Sequence, residues 1–268
     1  MRHLMNRGAT LVELMVAVSL SSALALFLMS ETGRQQRVVQ DLAVRAAAFS
    51  SLETAAQALR NELGGAEPGD LVSAASDRIV YRATRATGAV CGPAPDGIRL
   101  LQEEFRGLRV PVPGRDSLML TVLDSVPAWR ADRRSITGPV RSEPCPDGSP
   151  GLVVPSPPGI AIPGVPVRVF EVMELRLYPS GGAWWLGARS VSTGETIQPV
   201  AGPFTSDGFA LQLLGADGLD TGDTSLARLV RVRLKAEAAD LSAVAGAVRS
   251  GSRVDSLTVL IRLGAGGS

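Results

Sequence analysis

Histidine is almost absent from this chain: its 268 residues include one, His3. That scarcity argues against Ser-His-Asp triads, Cys-His pairs and histidine zinc sites together. A glycine-rich loop ending in Gly-Lys-Ser or Gly-Lys-Thr, which would cradle phosphates, is missing as well. Carboxylate pairs exist, Glu103-Glu104 among them, but they sit beside Arg106 and Arg109 and read as solvated surface. Cysteine is limited to Cys91 and Cys145, whose spacing suits no metal set. Aromatic residues make up 4% of the chain, and charge favours neither sign, with 27 basic against 26 acidic residues and a net +1. The densest basic cluster, Arg130, Arg133 and Arg134, reads as a solvated loop, so nothing marks a dedicated nucleic-acid binder. These absences point away from an enzyme and from any cofactor. One acidic, turn-rich stretch, residues 215–224, carries Asp217, Asp220 and Asp223. Their spacing does not fit a calcium loop of the EF-hand type, and Asp-Gly turns account for it, so no metal site is assigned.

What is present stands at the start. Met1 to Gly8 form a short leader with Arg2 and Arg7, and from Ala9 to Met29 the only formal charge is Glu13. As a helix at ~1.5 Å per residue that run spans about 31 Å, close to the hydrocarbon core of a bilayer. A secretory signal places its apolar core before the cleavage site and loses it. Here the run follows the candidate cut after Gly8 and stays with the mature chain. The arginines put the N-terminal side in the cytoplasm by the positive-inside bias. A carboxylate near a bilayer centre costs roughly 2.5 kcal/mol or more. Glu13, closer to the interface, reads either as a helix-start glutamate favoured by the dipole or as a charge awaiting a partner.

The helical pattern continues. Leu42, Ala46, Phe49, Leu52, Ala56, Leu59 and Leu63 recur at steps of three and four and mark one face. Gly64-Gly65 supplies a stop, with Pro68 just beyond. A helix over residues 10–63 would be about 80 Å long, with Gly33 as a point where it could bend. A coiled coil is the competing reading, but the heptads are short and alanine-rich. Past residue 65 glycine and proline become frequent and period-two runs appear. Strands are expected over 78–83, 98–101, 117–123, 167–178, 183–191, 208–214, 226–235 and 254–263, with a short helix over 236–248. In the strand at 226–235, Arg231, Arg233 and Lys235 alternate with Val230, Val232 and Leu234, which predicts one wet face. Of Trp184 and Trp185, one ring is expected in the core and one half-exposed. The fold class is α+β: a long N-terminal membrane-spanning and amphipathic helix packed on a mainly antiparallel β-sheet. Residues 124–166 hold ten prolines and are expected as an irregular insertion.

The run Arg7-Gly8-Ala9-Thr10-Leu11-Val12-Glu13-Leu14-Met15-Val16-Ala17 resembles the class III leader of type IV pilins and type II secretion pseudopilins. The resemblance implies that a prepilin peptidase cuts between Gly8 and Ala9 and methylates Ala9. It implies that Glu13 registers the subunit in a growing fibre, its partner the free amine of Ala9 in a neighbouring subunit. Ala9 stands where most major pilins have phenylalanine, and the first half of the helix lacks the proline that major pilins often carry. The stretches Trp184 to Val191, Gln198 to Phe204 and Arg228 to Leu234 are similar in texture to the end of PilW-like minor pilins and J-type minor pseudopilins. The implied layout is a leader at 1–8, a transmembrane and fibre-core half of the helix at 9–30, an amphipathic half at 31–64 and a β-rich globular domain at 65–268.

The implied function is that of a non-enzymatic minor pilin, anchored in the inner membrane with its globular domain in the periplasm. Its partners would be the prepilin peptidase, other minor and major pilin subunits, the inner-membrane assembly platform and, before assembly, membrane lipid. Two alternatives stay open: a J-type minor pseudopilin, and an uncut anchored periplasmic domain that binds or acts on a ligand. On the outer side of a membrane two thiols would oxidise. A Cys91–Cys145 bridge is therefore expected, tying the proline-rich insertion to the sheet and stabilising by roughly 4 kcal/mol through a loop of ~50 residues. Two separate thiols are the alternative.

Overall fold

The computed structural model describes residues 11–123, 129–237 and 254–264. The chain divides after Ala47 into two units, each with its own organisation. A single α-helix, α1 (Leu11–Leu63), opens the described chain.

In the first unit, α1 exposes large apolar side chains on every side from Leu11 to Met29. By length and composition this helix can cross a membrane. Its hydroxyls are handled accordingly: Ser19 donates to the Met15 carbonyl and Ser22 to the Val18 carbonyl, both at 2.8 Å. A hydroxyl satisfied one turn back needs no water, which an apolar medium would not supply.

The second unit begins with the last stretch of α1. Ala48, Leu52, Ala55, Ala56, Leu59 and Leu63 are buried there. The expected stripe holds from Leu52 onward, where Leu52, Ala56, Leu59 and Leu63 are buried, but Leu42, Ala46 and Phe49 are exposed, Phe49 at 57%. Ala48 and Ala55 widen the buried face, and their small side chains let a helix approach a sheet closely. The helix ends at Leu63, where the Gly64 amide still bonds the Arg60 carbonyl at 2.9 Å. A 3-10 turn (Pro68–Asp70) then leads into the sheet.

The strands follow in order: β1 (Leu71–Ala75), β2 (Arg78–Ala94), β3 (Gly97–Leu101), β4 (Arg106–Gly107), β5 (Asp116–Leu123), β6 (Trp129–Ser135), β7 (Arg141–Ser142), β8 (Gly151–Pro155), β9 (Pro166–Ser180), β10 (Ala183–Ser190), β11 (Gln198–Leu214), β12 (Leu229–Glu237) and β13 (Val254–Arg262). Among the described residues the strand pairings are antiparallel, and the main path runs β13-β12-β11-β10-β9-β2-β3-β8-β7. β2 and β9 form the spine. β2 takes β9 along one edge and β1, β4 and β3 in succession along the other. The far edge of β9 is divided: β5 pairs with its N-terminal half and β10 with its C-terminal half.

All eight expected strands are present. β12 has the predicted alternation, with Val230, Val232 and Leu234 fully buried and Arg231 and Arg233 exposed. Ala236 and Glu237, expected to open a helix, end β12 instead. The rest of that expected helix lies outside the described residues. The proline-rich segment is less irregular than expected, since it holds β6, β7 and β8. Its prolines crowd the ends of two windows, 129–135 and 151–154, that contain none. Pairing survives where a donor is left on each residue. β8 even sits in the core, with Val153 and Val154 fully buried. Both tryptophans are half-buried, so neither ring is in the core.

One core cluster gathers Val90, Ile98, Leu100, Leu118, Val154 and Val169 away from the helix. The other lies around the helix end, where the Tyr81 hydroxyl of β2 donates to Glu62 at 2.8 Å. Leu59 is completely buried and Phe49, three turns from it in sequence order, is not. Leu59→Ala is expected to cost about 2–5 kcal/mol, against less than about 0.5 kcal/mol for Phe49→Ala. Urea unfolding of the full chain in detergent micelles, followed by tryptophan fluorescence, checks the difference.

Candidate functional site

Gly8 and Ala9, the expected processing residues, lie outside the described residues. Glu13 lies within α1, as the third residue of its described part. Cys91 and Cys145 are joined by a disulfide, with their Cα atoms 5.8 Å apart. The bridge ties β2 to the loop between β7 and β8, as expected of the insertion.

The residues that position the globular unit on its helix form a buried charge centre. Glu171 of β9 is 1% exposed and lies on the inward side of the sheet, opposite Ala83 of β2 and Asp116 of β5. Here the edge of β9 passes from β5 to β10, and the Val191 amide bonds the Val172 carbonyl at 2.8 Å just beyond. A sheet that forks opens a gap in its ladder, and polar side chains fill it. Arg85 reaches Glu171 at 3.0 Å, Arg115 at 2.6 Å and Arg109 at 3.1 Å. Arg85 is placed by a register shift between Thr84 and Ala86, a β-bulge that turns one side chain to the other face. Arg109 also grips Asp116 with two contacts of 2.5 and 2.7 Å. Asp116 in turn accepts the Val112 amide at 2.7 Å, which folds the segment between β4 and β5 around its own carboxylate.

From this centre the network reaches outward. Arg85 extends to Glu62 at the end of α1, 3.5 Å away, and Arg115 to Glu195 at 3.0 Å. Helix, spine strands and two loops therefore meet on one carboxylate. Burial pushes the Glu171 pKa up, but the Ser190 hydroxyl, Arg85 and Arg115 outweigh it and leave the group below the ordinary glutamate value. Tyr81 moves the other way: burial and then the Glu62 carboxylate raise its phenol well above the usual value. Each keeps the form it needs, an ionised acceptor and a neutral donor.

The sequence reading missed this centre. Glu103 and Glu104, read as solvated surface, are exposed, but Arg109 beside them is drawn into the centre. Arg134, read as part of a solvated loop, is buried on β6, pairs with Asp132 at 2.5 Å and donates to the Ile160 carbonyl at 2.7 Å. Arg133 stays exposed on the same strand, and the Arg130 side chain lies outside the described part. A signal was available in β9, where Glu171 and Glu174 interrupt an apolar run and take buried positions.

The acidic stretch is occupied with its own turns. Asp217 accepts the Leu219 amide, Asp220 the Gly222 amide and Asp223 the Ser225 amide, at 3.0, 3.3 and 2.8 Å. Among the described residues no group of three or more metal-ligating side chains converges. An open depression beside these turns is lined by Asp217, Leu219, Asp220, Leu226 and Arg228.

No protein-family model, curated protein or solved structure matches the chain.

Glu171→Gln keeps the shape of the side chain and removes its charge, leaving three guanidinium groups around a neutral amide. The expected cost at neutral pH is about 3 kcal/mol. A depressed folded-state pKa contributes stability that is complete above the unfolded value of about 4.3 and is lost as pH falls through the folded value. Urea midpoints from about pH 3 to 7 should therefore fall more steeply toward acid for the parent than for the variant. Equal slopes would remove Glu171 from the account.

Proposed function

We propose that this chain is a minor subunit of a type IV pilus-like fibre, PilW-like in kind, and that it acts by assembly. The observation that carries the reading is the double use of α1. Its first part is apolar on all sides and uncovered, while its last part from Ala48 is core to the β-unit. A helix of that design delivers a folded domain to an apolar environment that the domain itself does not provide.

The mechanism follows from the residues. Cleavage between Gly8 and Ala9 by a prepilin peptidase leaves the apolar run on the mature chain and frees an amine at Ala9. In the inner membrane the run lies among lipid, with the globular unit in the periplasm. On assembly it exchanges lipid contacts for helix packing against other subunits, where small residues and satisfied hydroxyls cost little. Glu13 would otherwise carry a charge into an apolar core, and the amine of a neighbouring subunit neutralises it. The choice of partner amine fixes the axial register. The globular unit is held to its own segment of α1 by the buried stripe, the contacts of Glu62 with Tyr81 and Arg85, and the Ser51 hydroxyl, which donates to the Gly202 carbonyl at 2.8 Å.

The decisive measurement is intact and N-terminal peptide mass spectrometry of the protein from membranes of its own host. The expected chain begins at N-methylated Ala9. A chain that still begins at Met1 would overturn the reading in favour of an anchored periplasmic domain. Deletion then separates the two machines: loss of twitching with intact secretion assigns a pilus, and the reverse assigns a secretion pseudopilus.

A further inference from the structure

The sheet of the globular unit buries one face and leaves the other open, and the register shows which side chains share the open one. Across β2 and β9, Arg78 stands opposite Arg176 and Arg82 opposite Val172. Across β9 and β10, Glu174 stands opposite Arg189 and Tyr178 opposite Trp185. On β12, Arg231, Arg233 and Lys235 occupy the positions that alternate with buried valines and leucine. Arg262 of β13 stands on the same side, opposite Leu229. The inward neighbours of these positions are buried on β2, β9, β12 and β13 and buried or half-buried on β10, so the assignment of faces is consistent from β2 to β13.

Among the described side chains, carboxylates on this face are few and engaged; Glu237 shares the outward side of β12, and its side chain lies outside the described part. Glu174 is buried beneath Arg189 and Arg78, the latter 3.7 Å away. Asp207 pairs with Lys235, and Asp220 accepts the Gln212 amide at 2.9 Å. Among the described residues Arg176, Arg231, Arg233 and Arg262 make no ion pair, and the Nε of Arg176 is buried without a hydrogen-bond partner. Arg231 donates to the neutral Gln212 side chain at 3.1 Å. Toward β2 the crowding is felt directly: burial and the neighbouring Arg133 and Arg168 push down the Arg82 guanidinium. Like charges directly opposite one another destabilise a sheet. Arg78 against Arg176 is therefore kept at a cost to the fold.

We propose that this open face binds single-stranded nucleic acid, with the phosphate backbone along the arginines and bases stacked on Tyr178 and Trp185. Three features favour that occupant over another polyanion. The cations are arginines almost throughout, Lys235 being the only lysine in the chain, and the guanidinium fork matches phosphate oxygens two at a time. Successive outward cations on β12 are about 6.8 Å apart, so they meet a repeating charge rather than a single group. The two aromatic rings lie side by side in register, both partly exposed, and stacking platforms among basic groups are how sheets hold unpaired bases. Both rings are held in place. Tyr178 packs over Gly187, where an added Cβ would collide with the ring, and Trp185 Nε1 donates to the Ser180 carbonyl at 3.2 Å. The face stands whether or not the chain enters a fibre, so this inference goes beyond that reading and does not rest on it.

The test is fluorescence anisotropy on the full chain in detergent micelles. The probe is a labelled oligodeoxythymidine of about 20 nucleotides. Binding should weaken with salt, with a log–log slope of about −0.7 per phosphate engaged. The double variant R231E/R233E, at two exposed positions, should lower affinity about tenfold or more and flatten that slope. R262E gives an independent reading from the edge strand, and R141E, at the other end of the sheet order, should change nothing. W185A should weaken the single strand about tenfold and leave a duplex of the same length unaffected. No binding at low salt, no response to R231E/R233E and R262E, or equal competition by polyglutamate of the same charge would overturn the proposal. Duplex bound as tightly as the single strand, with W185A silent, would overturn it too.

Discussion

A carboxylate cannot leave water alone, and the globular unit is arranged around one that does. Glu171 sits where the edge of β9 changes partner from β5 to β10, between the core under the helix and the core of the β3–β5–β8 end. A buried carboxylate there demands charge in return. Three arginines answer, each from a different segment: a bulged strand, and the two ends of the loop before β5. Each guanidinium is also claimed by a second acid, Glu62, Asp116 or Glu195. The centre therefore fixes the relative placement of the helix end, the spine and two loops. Buried ion pairs add little net stability over apolar packing of equal volume. Their consequence here is specificity, because the alternative packings would strand a charge.

The same economy explains the helix. Its apolar part and its packed part use different residue types because they face different media. From Leu11 to Met29 large side chains point everywhere, as an apolar surrounding permits. From Ala48 to Leu63 the buried positions are alanines and leucines, three of each, so the backbone comes close to the sheet while leucines fill the gaps. Ser51 shows how tight that approach is, since its hydroxyl bonds directly to a carbonyl of β11.

The legible parts of the sequence were those governed by a period. The long helix, its stop before Gly64-Gly65 and the wet and dry faces of β12 all follow from local repetition. Where the reading slipped, packing or ionic contacts across the sequence decided the outcome. Phe49 looked like core because it fitted a three-and-four step, yet Ala48, one position earlier, is the residue under the sheet. In β9 the inward side is held by Glu171, and nothing within the strand announces the arginines that make this tolerable. The proline-rich segment misled through its average: β8 has proline only at its last residue and pairs in register with β3. Cys91 and Cys145 were readable as a bridge only through the compartment that the N-terminal run implied.

Net charge hides how the signs are distributed. A total of +1 describes a chain with balanced charge, but folding separates the signs by depth. Acids such as Asp116, Glu171 and Glu174 go inside, where they are covered. Many of the arginines that cover them are only partly buried, so the positive ends of these pairs lie nearer the surface than the negative ends. Outward positions of β12 and β13 then add cations with no acid beneath them. In a strand, neighbours in sequence lie on opposite faces, so a basic face is written as alternate letters on several distant strands. No window of the sequence shows it as a block. A search for basic runs passes over Arg231-Val232-Arg233-Leu234-Lys235, although the fold places that segment in one field with Arg262, Arg189, Arg176 and Arg78. The balance that argued against a polyanionic partner is thus a property of the sum, and the surface is set by the separation.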